Sequence, residues 1–182
     1  MSVLAELLAT LTAGLFTGAA LYITLVEHPA RLSCGPVIAV TEFRPSYKPA
    51  AVMQATLALL GAVAAAARWV MGSALGWLIA GILLGAVIPF TLFVILPTNK
   101  RLLDRSLNLD SPETTILLTR WGRLHAVRTG LSLVAFLMFL AAPRVPLGPG
   151  RFGWTSLATL GPFPVAHAVA ETRQSTASVW SI

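Results

Sequence analysis

Titratable and aromatic side chains stand at the ends of apolar runs, and they are the residues of this sequence best suited to chemistry. Trp121, His125 and Arg128 are spaced at i, i+4 and i+7, so they share one face if the segment is helical. The first apolar run ends in Glu27 and His28. An ionisable group near the centre of a bilayer costs at least about 2.5 kcal/mol. Residues of this type therefore indicate a function or a dedicated partner.

The two histidines leave three chemistries open. Either His28 or His125 could act as a general base toward a phenol or an activated carbon atom. The pair could bind a metal ion with Glu27 as a third ligand, or it could hold a haem between helices. The sequence contains neither His-x-x-x-His nor Cys-x-x-Cys-His, so we expect no cofactor.

Asn99 and Arg128 carry groups that bind oxygen atoms. Asn99 follows Pro97 at the end of the third run, where its amide either caps the chain or hydrogen-bonds a substrate carbonyl. Arg128 lies inside the fourth run and needs a partner. We predict that this partner is Glu27, an acid at the matching depth on another helix. In an alternative interpretation, Glu27 and Arg128 are only a packing ion pair and Trp121 is an interface anchor.

The composition excludes a soluble enzyme domain. Of the 182 residues, 56% are hydrophobic and 11% are charged, whereas ordinary soluble domains carry about 25% charged residues. The mean hydropathy is +0.78. The basic residues behind the net charge of +6 lie in short segments between apolar runs, which is typical of membrane proteins and argues against nucleic acid as a partner. The single cysteine, Cys34, forms no intrachain disulfide and is expected to be inert.

Four apolar runs are long enough to cross a bilayer. The runs are continuous rather than alternating, and each span must satisfy its own backbone hydrogen bonds, so helices are favoured over a barrel. We predict an all-α polytopic membrane protein, with a four-helix transmembrane bundle in residues 1–142 and a disordered Pro/Gly/Ser-rich tail in residues 143–182. The predicted spans are residues 7–26, 50–68, 74–96 and 124–142.

The Lys and Arg residues set the predicted orientation in the bilayer. Eight of the thirteen lie in the loops between spans one and two and between spans three and four, four lie on the other side, and Arg128 lies within a span. We therefore predict that both termini are outside the cytoplasm. The first span has no Lys or Arg before it and is longer than the core of a signal peptide, so we expect it to be retained.

Small residues and prolines indicate how the spans pack. Pro89 is expected to kink span three and to open space within the bundle. Ser111 and Pro112 are suited to the first positions of a helix, which we expect to begin before the fourth span enters the membrane. Two G-x-x-x-G pairs fit close helix packing inside the bundle or formation of a homodimer. These pairs are Gly14 with Gly18 and Gly81 with Gly85.

Three segments together carry a resemblance to a known family. They are Gly14 to Pro29 with its closing Glu27-His28-Pro29, Pro89 with Leu96-Pro97-Thr98-Asn99-Lys100-Arg101-Leu102, and Trp121-Gly122-Arg123-Leu124-His125-Ala126-Val127-Arg128-Thr129. Over roughly residues 3–142 the chain resembles the anthrone oxygenase-like family of four-span membrane proteins, which is largely described as a domain of unknown function. The resemblance implies a cofactor-independent oxygenase that converts an anthrone to an anthraquinone with molecular oxygen.

Residues matching the family motifs are Asn99, Trp121, His125 and Arg128. The resemblance implies that a base such as His125 removes an acidic methylene proton, and that Arg128 and Asn99 stabilise the resulting oxyanion. A flat, apolar small-molecule substrate would reach such a site from the lipid bilayer.

Two further classes of function stay open. A non-enzymatic accessory or scaffold protein would be extracted together with a stoichiometric partner. A small transporter or redox carrier is the third alternative, although no span is lined with charges and no inverted repeat is evident. A visible absorption band after purification would favour a redox carrier.

Overall fold

Four long helices form the structure, a computed structural model that describes residues 2–142. The predicted tail, residues 143–182, lies outside the described residues. Each helix is long and apolar enough to cross a membrane, and the described residues contain no strand. The prediction of an all-α, four-helix transmembrane fold is confirmed. The helices are α1 (Ser2–Ser33), α2 (Pro36–Val70), α3 (Leu75–Leu103) and α4 (Pro112–Ala141).

Helix α2 begins well before the apolar run that defines its span. It starts at Pro36 and continues through Pro45 and Pro49, whereas the sequence predicted only the segment from residue 50. An internal proline removes one backbone hydrogen bond and crowds the preceding turn. The two prolines are four residues apart on one face, and both are exposed. Their rings therefore disturb no core packing, and the helix continues past them.

Helices α1 and α3 each contain one π-helical turn, and both turns precede a proline. The turns are Ile23–Glu27 and Thr91–Ile95, and the prolines are Pro29 and Pro97. In each case the residue before the proline donates its N–H to a carbonyl five residues back. A proline cannot donate a backbone hydrogen bond, so a wider turn just before it accommodates the interrupted ladder. Helix α3 also continues through Pro89.

Glycines allow α2 and α3 to pack closely against each other in the half of the bundle near the α2–α3 turn. A Cβ atom on Gly81 would lie 2.8 Å from the Cβ of Ala65, and one on Gly85 would lie 3.3 Å from the Cβ of Ala62. This pair therefore packs within the chain. A Cβ on Gly14 would meet the ring of Phe136 at 3.0 Å. Gly18 has open space around it, and homodimer formation stays a prediction.

A buried ion pair joins α1 to α2 near the same turn. Arg68 Nε lies 2.6 Å from Glu6 Oε1, and both side chains are buried. Trp77 and Phe139 pack nearby in the core, with ring centroids 5.5 Å apart. Breaking one side of a buried ion pair usually costs about 3–5 kcal/mol, so this contact fixes the two helices at the end of the bundle that lacks the predicted site residues.

The connection between α3 and α4 is held by side chains of its neighbours. Arg44 donates to the carbonyl oxygens of Leu102 and Asp104, at 3.2 and 2.6 Å. The backbone N–H and the hydroxyl of Ser106 donate to the Asp104 carboxylate, which lowers the pKa of that carboxyl below its ordinary value. Helix α4 begins at Pro112 with Ser111 as its N-cap residue, as predicted. The Ser111 hydroxyl itself donates to the carbonyl of Asn108.

Candidate active site

A cavity of about 660 Å³ lies among all four helices, at the level of the two π-helical turns. Its lining is mostly apolar, and it includes Ile23, Thr91 and Ile95 from those turns. Five of the six predicted site residues line this cavity, and the sixth, His28, does not. The five are Glu27, Asn99, Trp121, His125 and Arg128. The structure thus brings together residues from three separate run ends, as the sequence indicated.

His125 is buried on α4 and has a hydrogen-bond partner at each ring nitrogen. Arg128 Nη2 lies 2.7 Å from Nε2, and Thr24 Oγ1 lies 3.0 Å from Nδ1. A guanidinium can only donate, so Nε2 must be the acceptor. The proton is accordingly assigned to Nδ1, which donates to Thr24. The imidazole is therefore neutral in this arrangement, with its Nε2 lone pair facing Arg128.

Thr24 anchors this histidine to α1. It lies in the first π-helical turn, and its hydroxyl donates to the carbonyl of Ala20 at 2.8 Å. This leaves an oxygen lone pair for the Nδ1–H of His125. Thr129 Oγ1 lies 2.9 Å from Thr24 Oγ1 and donates to the carbonyl of His125, also at 2.9 Å. The ring is thus held from α1 and from its own helix.

The prediction that Glu27 is the partner of Arg128 is wrong. Arg128 Nη2 donates to Gln54 Oε1 at 2.6 Å, and its guanidinium lies 5.6 Å from the centroid of the Phe16 ring. Glu27 contacts Arg31, which lies one turn further along the same helix. Arg31 is the nearer cation for Glu27 because residues four apart on a helix are neighbours. Arg128 forms no ion pair within residues 2–142.

Arg31 also contacts a second carboxylate. It pairs with Glu42 of α2 and, at 3.4 Å, donates to Ser46. Glu27, Arg31 and Ser46 all line the cavity. This polar group forms a charged part of the cavity lining near the α1–α2 connection.

Trp121 is the aromatic centre of the site. Its ring centroid lies 4.8 Å from that of His125 and 5.0 Å from that of His28, and Phe43 meets it edge-on at 5.4 Å. His28 is buried against α4, where its ring contacts Trp121 and lies over Gly122. His28 therefore joins α1 to α4 behind Trp121 and has no place on the cavity wall.

His28 and His125 do not form a metal site in this arrangement. Both ring nitrogens of His125 are engaged by protein groups. Trp121 contacts both imidazole rings. Among the residues that the structure describes, no group of three His, Cys, Asp or Glu side chains could hold a metal.

Asn99 is almost fully buried, with 1% of its surface exposed, and lies at the end of α3. Its Nδ2 donates to the hydroxyl of Tyr47 on α2 at 3.2 Å. Tyr47 stacks in turn on Phe43, with ring centroids 5.6 Å apart. Asn99 and Tyr47 both line the cavity, so this contact joins α3 to α2 at the cavity wall.

Gln54 and Thr24 belong to the site but were not among the residues predicted from the sequence. Gln54 is the polar partner of Arg128, and it stands as a lone amide within the apolar run of residues 50–68. A polar residue inside a span marks a functional position, so the signal was present. Thr24 gave no such signal, because a threonine within a span is common and commonly bonds its own helix.

The cavity opens sideways between α2 and α3. Met53 of α2 and Leu92 of α3 both line it, yet they are 48% and 53% exposed. An exposed apolar side chain on the outside of a membrane bundle faces lipid. The cavity therefore reaches the apolar outer surface of the bundle at this position.

Comparison with known proteins identifies a family for this arrangement. The anthrone oxygenase family matches residues 43–138, which include Gln54, Asn99, Trp121, His125 and Arg128. The anthrone oxygenase tpcL of Aspergillus fumigatus is 35% identical over 88 residues, which are 47% of this chain and 55% of that protein. The chain thus matches about half the length of this relative. No solved structure matches the chain. Since the family match covers more than half of its residues, this chain belongs to the anthrone oxygenase family.

Proposed function

We propose that this membrane protein is an oxygenase that uses molecular oxygen to oxidise an apolar phenolic or polyketide-type substrate in the cavity. The observation that carries the proposal is the contact between His125 and Arg128 on the cavity wall. It places a neutral base beside a cation for which residues 2–142 supply no carboxylate. Such a pair suits a reaction in which a proton leaves and an anion forms.

The proposed reaction takes an anthrone-type methylene to a ketone. His125 accepts one methylene proton, and the electron pair remains on the carbanion, which is the enolate of the adjacent ring system. This anion transfers one electron to O₂ and combines with the resulting superoxide, so a C–O bond forms and a peroxide anion results. The peroxide takes up the proton from His125. Loss of the second methylene proton and of hydroxide then forms the carbonyl, and these two leaving species together make water.

Arg128 has two tasks in this scheme. Before the reaction its Nη2 donates a hydrogen bond to the lone pair of His125 Nε2, which keeps the imidazole neutral. When the substrate binds, its carbonyl oxygen draws the guanidinium away from His125 and exposes Nε2 to the methylene proton, and the guanidinium then stabilises the anion that forms. A preorganised cation in a site with few polar groups stabilises such an anion more than water does. Asn99 contributes a second polar contact, and Trp121 provides a flat surface for stacking of the ring system.

Substrate access from lipid agrees with the opening between α2 and α3. A fused aromatic substrate dissolves in the bilayer, and Met53 and Leu92 offer it an apolar rim. For orientation, the distribution of Lys and Arg favours both termini outside the cytoplasm. The α1–α2 and α3–α4 connections, and the half of the bundle that holds the cavity, would then be on the cytoplasmic side.

The test is oxygen-dependent conversion of anthrone by membranes that carry either the wild-type protein or His125→Ala. Anthrone oxidises slowly without a catalyst, so only the excess over membranes without the protein counts. Thr119→Ala is the matched control, because Thr119 is exposed on the same helix and its hydroxyl bonds only its own backbone. We expect wild-type turnover in Thr119→Ala and loss of the excess in His125→Ala. Equal turnover in all three, at equal amounts of membrane-inserted protein, would contradict the role of His125.

A further inference from the structure

Apart from Arg31 Nε, which contacts the Glu42 carboxylate, three polar atoms on the cavity-lining residues are buried and have no hydrogen-bond partner within the described part of the chain. They are Gln54 Nε2, Arg128 Nε and Asn99 Oδ1. A buried donor or acceptor without a partner is costly, and native structures contain few of them. Three such atoms from three helices around one apolar cavity therefore form the polar pattern of a ligand site.

The orientation of the Gln54 amide follows from its partner. Gln54 is 2% exposed, and its Oε1 accepts a hydrogen bond from Arg128 Nη2 at 2.6 Å. Because a guanidinium has only donors, a reversed amide would place two donors against each other. Oε1 must therefore face Arg128, and the amino group of Gln54 is left with two N–H donors. The Nε2 atom is the part of this side chain that remains for a ligand.

We infer that Gln54 is a substrate-positioning residue that donates from Nε2 to an oxygen atom of the bound ligand. Gln54 and Arg128 hydrogen-bond each other, so their remaining donors lie close together and can serve one oxygen atom or two neighbouring ones. Asn99 offers an acceptor from the opposite element, α3. The pattern fits an apolar fused-ring ligand with a carbonyl or phenolate oxygen at Gln54 and a hydroxyl donor toward Asn99. The inference rests on the proposed function for the site and the substrate class, and it concerns binding before any turnover.

Two ligands of similar shape, one with carbonyl oxygens and one without, test this role directly. Tritiated anthraquinone and anthracene share a tricyclic frame, and only anthraquinone carries carbonyl acceptors. Binding is measured with the protein in lipid nanodiscs, and empty nanodiscs correct for ligand dissolved in lipid. We expect the wild-type protein to bind anthraquinone roughly three- to tenfold more tightly than anthracene, the ratio that one net hydrogen bond provides.

Gln54→Glu is the informative variant, because it keeps the shape and the acceptor for Arg128 but removes both N–H donors. We expect it to lose the preference for anthraquinone and to retain wild-type affinity for anthracene, which also shows that the cavity is intact. Gln54→Leu serves as a second variant that introduces no carboxylate. Thr17→Val is the matched control, since the Thr17 hydroxyl is likewise buried without a partner in the described chain but lies outside the cavity lining.

The possible outcomes distinguish the binding role of Gln54 from the proposed oxidation reaction. If Gln54→Glu and Gln54→Leu still prefer anthraquinone, the inferred role of Gln54 is wrong. It is also wrong if the wild-type protein binds both ligands equally or binds neither. If the preference depends on Gln54 but membranes show no oxidation of anthrone, the oxygenase proposal fails while the binding role holds. If oxidation occurs and the preference does not depend on Gln54, only the role of Gln54 fails.

Discussion

Arg128 Nη2 lies 2.7 Å from His125 Nε2, one helical turn away on α4. Enzymes that need a histidine base commonly place a carboxylate beside it, which favours the charged imidazolium. Here the neighbour is a cation, which favours the neutral imidazole and also covers its lone pair. The base is therefore held ready but blocked until another acceptor draws the guanidinium away. The carbonyl oxygen of a bound substrate is such an acceptor, so substrate binding uncovers the base through the same guanidinium that afterwards stabilises the anion.

Replacement of Arg128 by lysine tests whether a positive charge is sufficient at this position or whether the planar guanidinium is also needed. A lysine keeps the positive charge, but its single ammonium cannot contact Gln54 and His125 and also bind a substrate oxygen in the planar pattern of a guanidinium. We expect kcat for oxidation of anthrone to fall about 10²-fold, the usual loss on removal of one oxyanion donor. The measurement is steady-state oxygen consumption by the purified protein in nanodiscs.

The matched control for Arg128→Lys is Arg120→Lys. Arg120 is exposed and lies at the membrane-boundary part of the same helix, outside the cavity lining. The Arg120→Lys substitution should leave kcat and KM unchanged. If Arg128→Lys retained wild-type kcat, positive charge alone would suffice and the coupled mechanism would be wrong.

Thr24 should act on the reaction through His125. Thr24→Val preserves the shape of the side chain but removes the oxygen that accepts the Nδ1–H of His125. The ring then loses a partner that fixes its tautomer and its orientation. We expect about a tenfold lower kcat with little change in KM, in the lower range of effects for residues that orient a functional histidine.

Thr24→Ser restores the hydroxyl and serves as the control for that experiment. We expect it to recover most of the lost turnover, which a purely packing role of Thr24 would not produce, because serine fills less space than valine. Turnover in Thr24→Val equal to the wild type would contradict the positioning role of Thr24.

The fold and the meeting of the site residues follow from simple features of the sequence. The number of helices follows from the number and length of the apolar runs, because each run that crosses the bilayer must satisfy its own backbone hydrogen bonds. Successive spans alternate in direction, so the polar ends of the first, third and fourth runs must lie on one side. This argument was sufficient to bring Glu27, Asn99 and His125 to one cavity.

The pairing of side chains and the extent of α2 could not be predicted in the same way. Matching depth suggested Glu27 for Arg128, but depth does not fix the angular position of a residue around its helix. Gln54 faces Arg128, whereas Glu27 faces Arg31. Helix α2 is longer than the predicted span because the length of an apolar run marks only the membrane-crossing part of a helix, and α2 continues through Pro45 and Pro49. Only their exposed placement shows why the helix tolerates them.

Gly122 is predicted to be essential for the packing of His28. A Cβ atom at this position would lie 2.5 Å from His28 Nε2 and 2.7 Å from its Cδ2. Gly122→Ala should therefore displace His28 from Trp121 and α4, and overpacking of this kind destabilises by about 1–3 kcal/mol. We expect a lower Tm in detergent by scanning fluorimetry. Gly130→Ala, on the same helix with open space around it, should leave Tm nearly unchanged, and equal effects of the two substitutions would contradict this packing.

Cys34 provides a direct measure of the orientation in the membrane. It is exposed in the connection between α1 and α2, on the side that carries the larger number of Lys and Arg residues. The proposed orientation places it in the cytoplasm. A membrane-impermeant maleimide should therefore label Cys34 in inside-out vesicles but not in intact bacterial cells that express the protein.

The opposite turn supplies the reciprocal probe. Met71 is 47% exposed between α2 and α3, so Met71→Cys combined with Cys34→Ser moves the only thiol to the other side of the bundle. We expect this variant to be labelled in intact cells, while Cys34→Ser alone stays unlabelled in both preparations. Because α2 crosses the bilayer between the two positions, the two thiols must react from opposite sides. Labelling of Cys34 in intact cells would reverse the assignment and would place the cavity in the outer half of the membrane.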